Sequence, residues 1–132
     1  MTYTWTFSDD FANQFKHFPE DQQDKVLDFL DIFTEHGLTD FSLYEGKITS
    51  SWSGNYMDQD DYNFAMNNHL WHYHIGIPEY EENHGKYKTS DWVLHFQWFD
   101  KGDNINVVDL YHHYDNYGNF YLPGERSLII LK

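Results

Sequence analysis

Four histidines, an aspartate, a tyrosine and a glutamine fall at alternate positions in three stretches of this sequence, and these are the residue types best suited to chemistry. In LWHYHIGI (70–77), His72 and His74 share one side of an extended chain with Leu70, while Trp71, Tyr73, Ile75 and Ile77 share the other. In WVLHFQWF (92–99), Val93, His95, Gln97 and Phe99 alternate with Trp92, Leu94, Phe96 and Trp98. In INVVDLYHH (105–113), Val107, Asp109, Tyr111 and His113 alternate with Val108, Leu110 and His112. If the bulky sides all cover helices, the opposite face collects His72, His74, His95, Gln97, Asp109, Tyr111 and His113.

The chemistry such a face suits is proton transfer. Imidazole titrates near neutral pH, so two histidines can act as base and acid around a phosphodiester. Asp109 stands two pleats from His113 and could orient it, or a histidine on a neighbouring strand, and Tyr111 could donate to a phosphate oxygen. Metal ligation is the other use: His72 and His74 could share an ion, with His95 or His113 as third ligand and Asp109 as fourth. No HExxH motif or cysteine spacing supports zinc, so no metal or other cofactor is expected. Tyr80, just past Gly76-Ile77-Pro78, is placed at the site mouth, and Arg126, the only arginine, is a candidate anion clamp. The plain alternative is a solvated surface in a chain rich in His, Tyr and Asn.

The elements that must position these residues follow from periodicity. Tyr3, Trp5 and Phe7 alternate with threonines and read as a strand. Ser8 caps a short helix carrying Phe11, Phe15 and Phe18, with Asp9 and Asp10 in its first turn. Pro19 opens a second helix, whose Val26, Leu27, Phe29, Leu30 and Phe33 recur at helical spacing and which ends at Gly37-Leu38. Residues 38–66 read as a short strand plus loops, with MDQDDYN (57–63) an exposed acidic loop. The stretches 70–77, 92–99 and 105–113 read as strands, the last two joined as a hairpin through Asp100-Lys101-Gly102-Asp103-Asn104. Residues 120–122 and 128–131 are apolar ends that add a last strand or dock as a tail. The fold class expected is α+β: a strand, a helical hairpin, then an antiparallel meander with the helices packed on one sheet face.

At 132 residues the chain is one domain, 1–132. It is 40% apolar and 20% aromatic, which supplies a packed core and excludes wholesale disorder. With 22 Asp and Glu against 8 Lys and Arg, its formal charge is −14, so a broadly basic nucleic-acid surface is not the default expectation, although local patches can override net charge. Cysteine is absent, so there are no disulfides or thiolate metal sites. No apolar run of membrane-spanning length and no signal-peptide pattern is present, and a cytoplasmic location is expected.

In its order of elements, and above all in LWHYHIGIPEY (70–80), WVLHFQWF and INVVDLYHH, the sequence resembles the RelE/ParE-like toxin superfamily of type II toxin–antitoxin systems, including YafO- and HigB-like members. The resemblance implies a RelE-like fold and a metal-independent endoribonuclease that cuts messenger RNA, often on the ribosome, by attack of a ribose 2′-hydroxyl on the adjacent phosphate. Carried over by position, it implies His72 or His74 and His113 as base and acid, with Tyr111 or Tyr80 positioning the phosphate. It also implies a cognate antitoxin, here with a basic surface to match an acidic chain. The matching strands carry histidines where such enzymes carry arginines and lysines. A different class of function competes: a non-enzymatic acidic protein, a nucleic-acid mimic, docking on a basic partner through Asp21, Asp24, Asp28, Asp31 and Glu35 on one helix side.

Overall fold

A computed structural model describes residues 2–53, 58–81, 88–113, 121–124 and 128. In chain order it contains β1 (Thr4–Phe7), α1 (Asp9–Phe15), α2 (Glu20–His36), β2 (Ile48–Ser50), α3 (Gln59–Asn67), β3 (Leu70–Ile77), β4 (Trp92–Trp98) and β5 (Asn104–His112). The strands form one five-stranded sheet in the order β1-β5-β4-β3-β2. β1 lies parallel to β5 and every other pairing is antiparallel, so the sheet is mixed and the class is α+β.

Local chemistry explains the helix ends. Ser8 is extended, and its Oγ accepts from the Phe11 N–H at 3.1 Å, starting α1 behind two aspartates. Pro19 directly precedes α2. Gly37 ends α2 at a φ of 64°, and a Cβ there would lie 2.3 Å from the Tyr3 ring. Only glycine therefore lets the chain leave α2 against β1. α2 buries Val26, Phe29, Leu30 and Phe33 and leaves its five-carboxylate side exposed.

Two expectations are corrected. The tract 58–63 is not a loop, because Asp58 accepts from the Asp61 N–H at 2.8 Å and starts α3 with Asp60 and Asp61 in its first turn. The acids favour the helix start as dipole partners, and the helix is held by burying Ala65. The helices also divide between faces. α1 and α2 cover the side carrying Tyr73, Ile75, Leu94, Phe96 and Ile105, whereas Ala65 of α3 packs with Leu70 and Val108 on the other side, beside Leu122 and Leu128. Those last two leucines dock on the sheet as a tail, while residues 120 and 129–131 lie outside the described residues.

A third correction concerns β5. The β4–β5 pairing sets Phe96 against Val107 and His95 against Asp109, so Val108 is an inserted residue, a β-bulge. It reverses two assignments: Val107 joins the helix-side core and Val108 the opposite cluster.

Candidate functional site

The strand register builds a small lattice on the face away from α1 and α2. His72, His95 and Asp109 form one cross-strand row across β3, β4 and β5, and His74, Val93 and Tyr111 form the next. His113 follows β5, its N–H donating to the Asp91 carbonyl at 2.6 Å. Its ring reaches back over β4 to β3, with ring centroids 5.1 Å from His74 and 5.3 Å from His72, while His72 and His74 are 5.6 Å apart. Strands two apart in a sheet are separated by roughly 10 Å, so rings from β3 and β5 meet only above β4. There the β4 residue in the row is Val93, small and fully buried.

The rings are held from outside. His72 Nδ1 is 2.9 Å from Ser51 Oγ, at the end of β2. His74 Nδ1 lies 2.9 Å from the Ser90 carbonyl oxygen and 3.0 Å from the Ser90 nitrogen, ahead of β4. The segment before β2 passes close under β3: the His74 N–H donates to the Lys47 carbonyl at 2.9 Å, and a Cβ on Gly46 would fall 1.8 Å from the His74 carbonyl oxygen. A bare glycine therefore brings Lys47 beside the cluster.

Burial governs the electrostatics. It pushes the His72 imidazole well below its ordinary range, helped by the charges of His95, His113, His74 and Lys47. His74 is lowered by burial against the opposing effect of its Ser90 bond. His113 falls to about 4, through burial first and then the charges of His74 and Lys47, with Asp91 opposing. His95 is fully buried and falls to about 3. Burial thus favours the neutral form of all four imidazoles. His113 alone of the four is partly exposed, and it marks the open side of the cluster.

The other residues named from the sequence are placed as follows. Asp109 spends its oxygens on the Leu110 N–H at 2.9 Å and on the Tyr121 hydroxyl; burial raises its carboxyl and these bonds oppose the rise. Tyr111 lies beside this pair, its ring 4.4 Å from that of Tyr121. His95 packs behind His72 at 6.0 Å and is out of reach of a substrate, a correction that burial imposes. Gln97 is likewise sealed in, accepting from Asn106 Nδ2 at 3.0 Å and donating to the Asn68 carbonyl at 3.2 Å. Tyr80 is not at the mouth. Its hydroxyl meets that of Tyr73 at 2.9 Å and its ring lies under Lys25 of α2, on the helix side of the sheet. Arg126 lies outside the described residues. His112 points away from His113 and pairs with Asp91 at 2.8 Å.

Four contributors were missed from the sequence: Ser51, Ser90, Lys47 and Tyr121. Ser51, Ser90 and Lys47 lie beside strands in polar stretches, where strand periodicity carries no signal, and Tyr121 lies in the short apolar end at 120–122. Compared with known proteins, no family model matches the chain, and neither a curated protein nor a solved structure matches it. Among the described residues, no helix is long and apolar enough to cross a membrane.

Proposed function

We propose that this protein is an RNA-cleaving enzyme, a toxin of RelE-like type, whose reaction centre is the His72–His74–His113 cluster. The observation that carries the reading is the convergence of three imidazoles, about forty residues apart in sequence at their widest, at one partly open point of the sheet. The order of strand, helical hairpin and meander supports the scaffold half of the proposal. Lys47 supports the substrate half: it is an exposed cation acting on all three rings, and it offers a phosphate part of the positive charge that arginines would supply.

In this reading a neutral imidazole takes the proton of a ribose 2′-hydroxyl. The 2′-oxygen bonds to phosphorus, and the bond to the 5′-oxygen breaks. The imidazolium so formed, crowded by neighbouring rings and by Lys47, is acidic and returns the proton to the departing 5′-oxygen. Neutral rings suit the first of these steps, and no standing imidazolium is needed for the second.

The test is an RNA oligonucleotide cleavage assay with purified protein, together with growth on induction. The wild type is expected to cut RNA and arrest growth, His113→Ala and Lys47→Ala to lose at least 100-fold in cleavage, and His112→Ala to keep it. Harmless expression together with intact RNA would overturn the proposal. The second reading, a non-enzymatic acidic protein that mimics nucleic acid and docks on a basic partner, is favoured by one observation: Asp21, Asp24, Asp28, Asp31 and Glu35 are all exposed along α2. Reversing the charge of Asp24 and Asp28 should abolish capture of that partner, whereas His113→Ala should leave capture intact; a complex lost on His113→Ala but kept on charge reversal would defeat this reading.

A further inference from the structure

We propose that His72, His74 and His113 together bind one divalent transition-metal ion, zinc or cobalt, and that the ion competes with RNA cleavage for the same three imidazoles. The inference deepens the nuclease reading by adding regulation at its site. The metal-binding half stands without that reading.

The geometry is that of a closing ligand set. One nitrogen from each ring lies within 4.8 Å of the others. Zinc–nitrogen bonds of about 2.0–2.1 Å in a tetrahedron set ligand nitrogens roughly 3.3 Å apart. The gap to close is therefore about 1.5 Å at most. His113 is the ring best able to close it, being partly exposed and lying one residue past the end of β5.

The surroundings are those of metal-binding histidines. Such rings hold an oxygen with one nitrogen and ligate with the other. His72 has Ser51 Oγ at its Nδ1, and His74 has the Ser90 carbonyl at its Nδ1. With Nδ1–H donating to these oxygens, Nε2 of each ring becomes the ligating atom. The Ser90 nitrogen also lies within reach of His74 Nδ1, which suits the opposite tautomer, and metal binding selects the one that donates to the carbonyl.

The rings of His72 and His74 are buried in the sheet, where the neutral form that ligates is favoured. Three imidazoles leave a fourth position on the His113 side, as in zinc sites that hold a water or a substrate atom. Asp109 is not a ligand, since its carboxylate is engaged by Tyr121 and Leu110. Lys47 opposes a dication, but its side chain is exposed and its ammonium can swing into solvent. Asp91 favours one.

The ion takes the lone pairs that proton transfer uses. A loaded centre therefore has no imidazole base, and zinc and cleavage exclude one another.

Titration of chelator-treated full-length protein with Co2+, followed by visible absorption, tests the site without reference to activity. Expected are one Co2+ per chain, the intense d–d bands of tetrahedral cobalt, and their loss on adding Zn2+. His113→Ala should weaken binding at least 100-fold, Ser51→Ala about 10-fold, and His112→Ala not at all. His113 is the ring chosen because its partial exposure spares the core, and far-ultraviolet circular dichroism confirms the fold of each variant. No spectral change at 100 µM protein, or binding that survives His113→Ala, would overturn the metal site. RNA cleavage should be slowed by stoichiometric Zn2+ and restored by EDTA. Cleavage that requires zinc would overturn the competition while leaving the metal site standing. Cleavage in EDTA by a protein that binds no cobalt would sink the metal site and keep the nuclease.

Discussion

On the helix side of β3, β4 and β5, Tyr73, Ile75, Leu94, Phe96, Ile105 and Val107 pack on Phe11, Phe29 and Phe33; on the opposite side the same strands bury His72, His74, His95, Gln97 and Asn106 as deeply. The first face is held by area and ring contacts, with Phe29 stacked 4.8 Å from Tyr73 and 5.8 Å from Phe96. The second depends on pairing, because buried polar groups are costly unless hydrogen-bonded. A polar ladder runs from Thr6 to Asn106 at 2.9 Å, on to Gln97 at 3.0 Å, and from Gln97 to the Asn68 carbonyl at 3.2 Å. One face thus supplies stability through bulk. The other accepts the costs of polarity, tying down Gln97 and Asn106 by hydrogen bonds and gathering His72, His74 and His113 into one cluster.

The contrast breaks most visibly on the bulky side. Phe29→Ala should cost about 3–5 kcal/mol in urea unfolding, from lost burial and an unfilled cavity. Gly46→Ala forces a methyl against the His74 carbonyl, and overpacking of about 1–3 kcal/mol is expected. Its signature should be local: faster hydrogen exchange at Lys47 and His74, with α2 unaffected. Gln97→Leu should also cost about 1–3 kcal/mol, since Asn106 loses an acceptor in a dry place. Pairing it with Asn106→Leu should recover part of that loss, which bulky-face mutations cannot do for each other. His113→Ala sharpens the comparison from the other end. Its unfolding free energy should change by about 0.5 kcal/mol or less, while cleavage and cobalt binding collapse.

Much of this division was legible in the sequence. Alternation in 70–77 and 92–99 assigned the faces of β3 and β4, and Ser8 and Gly37 marked helix ends by side-chain chemistry that acts locally. α3 was not legible because its acids outnumber its buried groups; only Ala65 is fully buried, and the capping role of Asp58 shows only once the backbone is helical. The histidine cluster was legible where it rests on strand parity, in the shared face of His72 and His74, and illegible where it rests on loops, in Ser51, Ser90 and Lys47. Tyr80 was misplaced because the chain passes to the helix side after Gly76, against whose Cα the Tyr80 ring packs.

The extra residue at Val108 gives β5 two phases. Counting by twos from Ile105 and Val107 would carry Asp109, Tyr111 and His113 into the aromatic core and leave Leu110 facing solvent. The bulge adds one beat, so the first half of the strand keeps time with the core and the second half with the histidine cluster. A strand so divided can be altered in one half without rewriting the other. Deleting Val108 would remove the kink and leave both phases intact, whereas inserting a residue anywhere from 109 to 112 would hand the place of His113 to His112.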